Sequence, residues 1–403
     1  MQKPYIPRDT YINKIRPYID KELIKVLVGQ RRVGKSYLLF QLMDEIKKSN
    51  AGANIVYINK ELYEFKDIIT YEDLMAYLIP LKHAGEKCYL FIDEIQDITE
   101  FEKALRSLLA QGEYDIYCTG SNARILSGEL ATLLSGRYIE IKIYSLSYNE
   151  FIRFHSFENT PDSFNAYLKY GGLPYLANLE LTDEIVYEYL RNIYNTIVLK
   201  DIVERYKIRN VSLLQNLTLF LADNLGSIVS AKRISEFLKS QRIDLSVKVI
   251  IEYLSYLCNV FFVSEVKRAN IIGRKIFEIG EKYYFEDVGL RNALIPYKQA
   301  DINKLFENLV YRHLLALGYT VTIGQLGTKE IDFVAEQYNQ KIYVQVAYLI
   351  TDEQTTKREF GNLLDINDNY PKYVVSSDTL SEGNYKGIKH LHIQDFLTKT
   401  DFQ

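Results

Sequence analysis

One short segment near the amino terminus constrains the fold of this 403-residue chain more than any other feature. Residues 29–36 read GQRRVGKS, which matches the pattern G-x-x-x-x-G-K-[ST]. The segment follows a predicted buried strand over 24–29 and opens a predicted helix over 36–49 with one apolar face. Its glycines would let backbone N–H groups wrap phosphate oxygens at the positive end of that helix. The segment therefore predicts a phosphate-binding loop, the alternative being a glycine-rich turn that binds no ligand.

The residues of this loop have predicted roles in binding a nucleotide. We expect Lys35 to reach the β- and γ-phosphates and the Ser36 hydroxyl to bind Mg²⁺. The predicted nucleotide-binding residues of the segment are Gly29, Gln30, Arg31, Arg32, Val33, Gly34, Lys35, Ser36 and Tyr37.

The first 150 residues alternate short apolar runs with helical periods. Beyond the strand at 24–29, strands are predicted at 53–59, 88–93, 115–120 and 138–144. Each run is apolar nearly throughout, as strands buried on both faces are. This alternation predicts a parallel sheet with right-handed crossovers, so the fold class is α/β.

Two acidic residues lie at the end of the strand 88–93. We expect Asp93 to hold Mg²⁺ directly or through water, and Glu94 to orient and deprotonate the attacking water. Ligands bind at the carboxyl ends of strands in open α/β sheets, which favours this assignment. A Glu directly after the Asp indicates hydrolysis as well as binding. The alternative is a strand-end acid that caps a helix.

Asn122 and Arg137 complete the predicted catalytic set, which also contains Lys35 and Glu94. Ser121 and Asn122 follow the strand 115–120, where a polar side chain can sense the γ-phosphate. We assign that role to Asn122, with a helix N-cap as the alternative. Arg137 precedes the fifth strand and is a predicted arginine finger, in cis or in trans. A surface arginine is the alternative there.

The remainder of the chain divides into three further predicted domains after the core at 1–150. Residues 151–225 have helical periodicity throughout. Residues 226–295 are predicted as helix, turn, helix and a two-stranded ribbon, which is typical of a winged helix. Residues 296–403 are predicted as a small α/β domain.

Several motifs together resemble the prokaryotic AAA-type ATPases that carry a conserved C-terminal domain of unknown function. They are GQRRVGKS, LFIDEIQ, TGSNA, LLSGRY, YGGLPYL, LKDIVERYKIRN and the tail EIDFVAEQ with YVQVAYL. The resemblance implies an ATPase core with strand order 5-1-4-3-2, ATP as the nucleotide, then a winged helix and a nuclease-like domain. It also implies that Arg8 and the turn with Gly172 and Pro174 lie near the adenine. The alternatives are a surface charge for Arg8 and a simple helix break for the turn.

The tail resembles the PD-(D/E)xK nucleases, which need carboxylates for Mg²⁺ and a lysine to help activate water. The resemblance makes Asp332 the first carboxylate and Glu307 the acid on the preceding helix. The positions of the Glu and the Lys in the next strand hold Gln345 and Ala347, which share one face. We therefore predict a degenerate nuclease fold kept as a binding or structural module. Two lysines are alternatives for the missing one: Lys329 and Lys357.

Charge bears on the partners of the protein. With 49 basic and 52 acidic residues the net charge is −3, so nucleic-acid binding would need a local basic patch. The predicted winged helix offers such a patch, although acidic residues are interspersed and many winged helices only pack against an ATPase core. Double-stranded DNA is therefore an open partner. The basic residues are Lys232, Arg233, Lys239, Arg242, Lys248, Lys267, Arg268, Arg274 and Lys275.

Location and assembly follow from other features. The three cysteines lie far apart, which favours a reducing cytoplasm, and the absence of a run of 18 apolar residues predicts no membrane span. An arginine finger acting in trans would require a homo-oligomer. The sequence thus predicts a Mg²⁺-dependent ATPase whose hydrolysis drives a conformational change of the C-terminal domains. The alternatives are an ATP-gated DNA-binding or DNA-processing protein, a slow nucleotide switch that recruits a protein partner, and, third, a metal-dependent nuclease.

Overall fold

The chain divides into two units, each described here by itself. The computed structural model describes residues 5–81, 86–123, 134, 136–243, 245–273, 280–350, 353–378 and 383–402. Unit 1 comprises Met1–Tyr144 and Asn259–Phe261, and unit 2 comprises Ser145–Cys258 and Phe262–Gln403. Within these described ranges, no helix is long and apolar enough to cross a membrane.

Unit 1 is built on a parallel sheet. Its described strands are β1 (Ile24–Val28), β2 (Asn54–Asn59), β3 (Cys88–Asp93), β4 (Tyr114–Gly120) and β5 (Tyr138–Lys142). They pair in the order β2-β3-β4-β1-β5, which is the order 5-1-4-3-2 implied by the family resemblance. The strands β1, β3 and β4 are buried along their whole length, as their nearly continuous apolar sequences predicted. The α/β fold class with a P-loop sheet is confirmed.

Helices connect these strands. Those described are α1 (Asp9–Ile15), α2 (Lys35–Ser49), α3 (Tyr71–Leu78) and α4 (Phe101–Gln111), with short 3₁₀ turns at Arg16–Tyr18, Tyr63–Phe65, Ile79–Leu81 and Ile95–Asp97. The helix α2 buries Leu38, Leu39 and Leu42 on one face, as the 3.6-residue period predicted. The helix α3 begins with a reciprocal cap between Thr70 and Asp73. Local sequence signals therefore account for both elements.

An ion pair is buried near the amino end of β1 and β4. The side chains of Lys25 and Asp115 are both fully buried and hydrogen-bonded to each other. The Tyr117 hydroxyl donates to Asp115 at 2.7 Å, and the Lys25 ammonium donates to the Leu23 carbonyl at 2.9 Å. A buried charge needs this kind of complete pairing because desolvation is costly.

Unit 2 begins with a helical region, as predicted. Its helices are α5 (Tyr148–His155), α6 (Pro161–Tyr170), α7 (Asp183–Thr196), α8 (Val211–Asp223), α9 (Ala231–Ser240) and α10 (Val247–Asn259). A 3₁₀ helix, Pro174–Asn178, lies between α6 and α7. The helix α7 continues directly into a π-helical segment, Ile197–Glu204. The sequence pattern did not reveal this wider turn, because an apolar face looks similar at both periods.

Between α10 and α11 (Val288–Leu294) the described residues form three short strands, and these do not all pair with one another. The strands β6 (Val263–Val266) and β8 (Lys282–Phe285) form an antiparallel pair, and Val229 and Glu281 form an isolated antiparallel bridge. The strand β7 (Arg268–Asn270) instead pairs in parallel with β9 (Thr320–Leu326) of the C-terminal sheet. The domain boundary at residue 295 stays a prediction. The strand β7, which precedes this boundary in the sequence, pairs with β9, which follows it.

The C-terminal sheet completes unit 2. Besides β7 and β9, its described strands are β10 (Lys329–Gln337), β11 (Gln340–Val346), β12 (Lys372–Ser376), β13 (Gly383–Tyr385) and β14 (Ile388–His392). The order over the described residues is β13-β14-β12-β11-β10-β9-β7. The helices are α11 (Val288–Leu294), α12 (Ile302–Leu317), α13 (Glu353–Leu364) and α14 (Ile393–Thr398), with a 3₁₀ turn at Gln299–Asp301. The small α/β arrangement was predicted, whereas β13, β14 and α14 were not.

Candidate active site

The loop between β1 and α2 is shaped by its two glycines. A Cβ atom on Gly29 would lie 2.1 Å from the carbonyl oxygen of Ile143, so no other residue fits there. Gly34 caps α2 in the left-handed region, with φ 95°. Close backbone approach at one end and a positive φ at the other thus explain both glycines of the motif.

Lys35 connects this loop to the end of β3. Its buried ammonium group donates hydrogen bonds to the carbonyl oxygens of Gly29 and Gln30, each at 3.0 Å. The same nitrogen lies 4.0 Å from Oε1 of Glu94. The predicted phosphate-binding lysine and the predicted base are therefore brought together.

Asp93 ends β3 and lies within a cluster of hydroxyl groups. The Thr119 hydroxyl donates to Asp93 Oδ1 at 2.5 Å, and the Tyr57 hydroxyl donates to Oδ2 at 3.3 Å. Burial raises the pKa of Asp93, while hydrogen bonds from Ser36 and Thr119 act in the opposite direction. Ser36 and Asp93, the two predicted Mg²⁺ ligands, thus meet. Their hydroxyl and carboxylate oxygens are the ligand types that Mg²⁺ prefers.

Glu94 is held in an unusual backbone conformation. It lies in the left-handed region, with φ 57° and ψ 55°, and its N–H donates to the Thr119 hydroxyl at 2.9 Å. The Gln96 side-chain amide donates to its carboxylate. Burial alone would raise the pKa of Glu94, but the Lys35 ammonium and the Gln96 amide more than offset it, so the pKa is lowered. The carboxylate is therefore ionised at neutral pH, as a base must be.

Thr119 is one of three residues of this site that the sequence analysis missed. Its single hydroxyl accepts from the Glu94 backbone and donates to the Asp93 side chain. The available signal was a threonine at the carboxyl end of an otherwise buried apolar strand. Tyr57 and Gln96 were missed as well, since both act through side-chain contacts with the acidic pair.

The other loop residues differ in their surroundings. Gln30 is fully buried, and its side-chain amide makes no hydrogen bond to any described residue. Arg31 donates to Oε1 of Glu61 at 3.1 Å. Arg32 is exposed with φ 71°, whereas Val33 is fully buried. Tyr37 is 40% exposed. The Gln30 amide is therefore a buried polar group of the loop without a hydrogen-bond partner among the described residues.

Comparison with known proteins identifies the family. An uncharacterized protein of Haemophilus influenzae is 38% identical over 406 residues, covering 98% of this chain and 100% of that protein. A family model described as an AAA domain matches residues 21–152, and one described as a domain of unknown function matches residues 161–301. The chain belongs to this family of AAA-domain proteins. Its P-loop fold and the AAA match imply that it binds ATP.

More distant matches exist. An uncharacterized protein of Methanocaldococcus jannaschii is 29% identical to this AAA-domain protein, covering 83% of this chain and 77% of that one. The solved structure of the Aeropyrum pernix ORC1 protein in complex with DNA aligns with 14% identity and a TM-score of 0.36. That alignment covers 72% of this chain and 93% of the other.

Asn122 and Arg137 lie at opposite edges of the AAA-domain sheet. Asn122 is buried two residues after β4, at the carboxyl edge that also holds Glu94. The Arg137 carbonyl accepts from the N–H of Ile24, at the beginning of β1. Since β1 rises about 3.3 Å per residue over its five residues, Arg137 lies roughly 15 Å from its own loop. The side chain of Arg137 is exposed, and its role as an arginine finger in cis, as one in trans or as a surface arginine stays a prediction.

Arg8 contacts the phosphate-binding loop of the AAA domain. Its guanidinium donates to the carbonyl oxygens of Val33 at 2.9 Å and Tyr144 at 3.0 Å, and its side chain is buried. The alternative of a surface charge is therefore wrong. The turn with Gly172 and Pro174 lies in unit 2, where the Gly172 N–H donates to Asp287 at 2.7 Å. The proximity of that turn to adenine stays a prediction.

The predicted nuclease-type residues come together in unit 2. Glu307 lies on α12, Asp332 on β10 and Gln345 on β11. The Asp332 N–H donates to Gln345 Oε1 at 3.3 Å, and the Val346 N–H donates to Asp332 Oδ2 at 2.8 Å. Ala347 directly follows β11 and is buried. The two alternative lysines are engaged elsewhere, Lys329 with Asp365 and Lys357 with Glu353.

The predicted basic patch divides into two groups. The first group, on and beside α9 and α10, is exposed; it contains Lys232, Arg233, Lys239, Arg242 and Lys248. In the second group, the Lys267 carbonyl accepts from Ile323 at 3.0 Å and the Arg268 guanidinium donates to Gln325. These contacts tie both residues to β9. Arg274 and Lys275 lie outside the described residues.

Proposed function

We propose that this AAA-domain protein is a Mg²⁺-dependent ATPase whose hydrolysis of ATP drives a conformational change of its C-terminal domains. One observation carries the proposal. Lys35, Asp93 and Glu94 are grouped at the carboxyl edge of the sheet, with the Glu94 carboxylate 4.0 Å from the Lys35 ammonium. That edge is where ligands bind in open α/β folds.

The residues of the site divide the work of hydrolysis. Lys35 exchanges its two loop carbonyls for phosphate oxygens, which its ammonium binds more strongly because they are charged. Glu94, kept ionised by Lys35 and Gln96, accepts a proton from the attacking water. Ser36 and Asp93 would hold Mg²⁺, which when bound neutralises charge on the transferred phosphoryl group. Thr119 fixes the backbone of Glu94 and thereby aims its carboxylate.

Four further residues have supporting roles in the proposal. Gln30 offers a buried amide with no partner among the described residues, suited to a phosphate oxygen. Asn122 senses the γ-phosphate from the same edge of the sheet as Glu94. Arg8 holds the loop through its hydrogen bond to the Val33 carbonyl. Arg8 and Pro174 each contact the adenine end of the nucleotide. Cytoplasmic location is part of the same prediction.

The decisive test is phosphate release from ATP and Mg²⁺ by the wild type and by Glu94→Gln. We expect the variant to lose at least about 100-fold in turnover while it still binds nucleotide, because general-base catalysis contributes 10²–10⁴-fold. The matched control is Glu64→Gln, which removes an exposed carboxylate of the same unit. Equal turnover in Glu94→Gln and wild type would remove Glu94 from the mechanism. Nucleotide binding without turnover in the wild type would favour a slow switch that recruits a protein partner.

An ATP-gated DNA-binding protein is the second candidate. It is supported by the exposed basic side chains around α9 and α10, and by the order of α8, the Val229 bridge, α9, α10 and the β6–β8 pair, which is typical of a winged helix. In the second group, the Arg268 guanidinium is held by the neutral side chain of Gln325, whereas Lys267 contacts β9 only through its backbone carbonyl and its side chain is exposed.

Binding of a labelled DNA duplex, measured with and without ATP, tests the second candidate. The double variant Arg242→Ala/Lys248→Ala should weaken binding and reduce its salt dependence, since fewer counterions are released. The double variant Lys47→Ala/Lys48→Ala removes the same charge from the exposed end of α2 and should change neither. Identical binding by the two double variants would count against a role for α9 and α10 in DNA contact.

A further inference from the structure

A lysine lies among the carboxylates of the nuclease-like sheet. The Lys282 ammonium, on β8, is 2.9 Å from Glu330 Oε1, 3.3 Å from Glu307 Oε2 and 4.0 Å from Asp332 Oδ1. The side chains of Lys282, Glu307 and Asp332 are at most 10% exposed, and that of Glu330 is 30% exposed. Three carboxylates from α12 and β10 thus share one cation from a strand of the predicted ribbon.

These carboxylates require a positive charge. Moving a carboxylate out of water costs on the order of several kcal/mol unless a cation or hydrogen bonds replace the solvent. Hydrogen bonds supply part of the replacement: Tyr284 donates to Glu307 at 3.0 Å, and the Val346 N–H donates to Asp332 at 2.8 Å. Lys282 supplies further compensation, although burial still raises the pKa of Glu307 and of Asp332. Although burial lowers the pKa of Lys282, the surrounding carboxylates raise it above its ordinary value, so the cation is permanent.

The ammonium occupies the place that a divalent cation would need. Carboxylate oxygens contact Mg²⁺ at about 2.0–2.1 Å, so the metal must lie between them, where the Lys282 nitrogen already lies. Within the described ranges, no group of three acidic, histidine or cysteine residues is arranged to hold a metal ion. The ligand expected from the neighbouring strand is an amide, Gln345, whose oxygen accepts from the Asp332 backbone.

The position of the ammonium is fixed by the packing of β8 on α12. Asn308 accepts from the Phe285 N–H at 2.8 Å and donates to the Phe285 carbonyl at 2.9 Å. The Tyr284 ring stacks on Tyr311 and meets Glu307 through its hydroxyl. These contacts involve neighbouring positions on one face of α12 and hold the strand that carries Lys282. The lysine is therefore built into the fold, not a side chain that reaches in from solvent.

We propose that the Lys282 ammonium is the built-in cation of this carboxylate cluster, and that the cluster takes a divalent cation only when the ammonium is removed. The C-terminal sheet then needs no metal to fold and works as a binding or structural module. In a nuclease a metal ion supplies the positive charge between such carboxylates. Here the Lys282 ammonium supplies it and so joins β8 to α12 and β10.

Mn²⁺ binding by the nucleotide-free full-length protein tests the proposal, measured by calorimetry or by electron paramagnetic resonance. The Lys282→Met variant removes the charge and keeps the length of the side chain. We expect it to gain one Mn²⁺ site, with affinity at least about tenfold above any binding by the wild type, because carboxylate oxygens are hard-cation ligands. Adding Asp332→Asn should abolish the gained site. The control Lys341→Met removes a lysine of the same sheet, paired with Glu336 at 3.2 Å, and should gain nothing.

Further arms keep the test decisive if Lys282→Met is unstable. Lys282→Arg preserves the charge and should fold without gaining Mn²⁺, and Mn²⁺ should raise the unfolding temperature of Lys282→Met but not that of the wild type. A folded Lys282→Met without a new site overturns the proposal. So does wild-type Mn²⁺ binding that Asp332→Asn removes, because the cluster would then be an ordinary metal site.

Discussion

Thr119 offers the sharpest test of how the acidic pair is held. Replacement by valine keeps the shape of the side chain and removes only the hydroxyl, which joins Asp93 at 2.5 Å and the Glu94 N–H at 2.9 Å. The first hydrogen bond is worth about 1.5–3 kcal/mol because its acceptor is a carboxylate, and the second is worth about 0.5–1.5 kcal/mol. Both lie in a buried site, so water cannot replace them.

We expect roughly 2 kcal/mol of this loss to appear in the transition state, since Glu94 must stay aimed while it takes a proton. At 1.36 kcal/mol for each factor of ten, turnover in Thr119→Val falls about 30-fold. The hydrogen bond from Thr119 also lowers the pKa of Asp93, so its removal raises that pKa further. The acid limb of the pH–rate profile should therefore move to higher pH.

Steady-state phosphate release at saturating ATP and Mg²⁺ measures both effects. Thr119→Ser retains the hydroxyl and should keep turnover within about threefold of the wild type. The control Thr218→Val makes the same replacement at a buried threonine of unit 2, whose hydroxyl donates to Leu214 at 2.7 Å, and should leave turnover unchanged. The reasoning is refuted if Thr119→Val retains more than half of wild-type turnover with an unmoved acid limb.

Three more predictions concern stability and assembly. Asp115→Asn leaves the buried Lys25 ammonium without its counterion and should cost about 3–5 kcal/mol in urea unfolding of unit 1, most of it restored by Lys25→Met/Asp115→Leu. Burial lowers the pKa of His313 to about 4 in the folded protein. Below pH 6.5 this histidine is protonated in the unfolded state but not in the folded state, so the free energy of unfolding decreases as the pH is lowered. Between pH 7 and pH 5 His313 should account for about 2 kcal/mol of lost stability, so His313→Gln should lose about 2 kcal/mol less than the wild type, while His155, whose pKa burial also lowers to about 4, contributes equally in both proteins. If Arg137 acts in trans, mixing inactive Arg137→Ala with inactive Glu94→Gln should restore phosphate release, whereas no recovery would argue against a shared site.

Much of unit 1 could be predicted from local patterns. The strands β1, β3 and β4 are nearly continuous apolar runs, and such runs alternating with helices are typical of a parallel sheet. The pair Asp93 and Glu94 could be placed from the end of one such strand. The glycines of the loop could be recognised from the motif, and the structure explains Gly29, because a residue with a side chain does not fit there.

Contacts between distant segments were not available from those patterns. Thr119 meets Asp93 and Glu94 because β3 and β4 are neighbours in the sheet, and nothing within either strand specifies which hydroxyl faces the pair. Arg137 precedes β5 in the sequence, but its edge of the sheet follows from the parallel pairing of β5 with β1. That pairing places the backbone of Arg137, while its action in cis, in trans or as a surface arginine stays a prediction.

The sequence by itself determined the alternation of strands and helices in the AAA domain and its phosphate-binding loop. Only the tertiary structure brought Lys282 to Glu307, Glu330 and Asp332, and only it joined β7 to the C-terminal sheet. The physical reason is the distance along the chain over which each kind of interaction acts. Apolar periodicity and turn chemistry act over a few residues, whereas the partner of a buried charge is selected when remote segments pack together and lose their water.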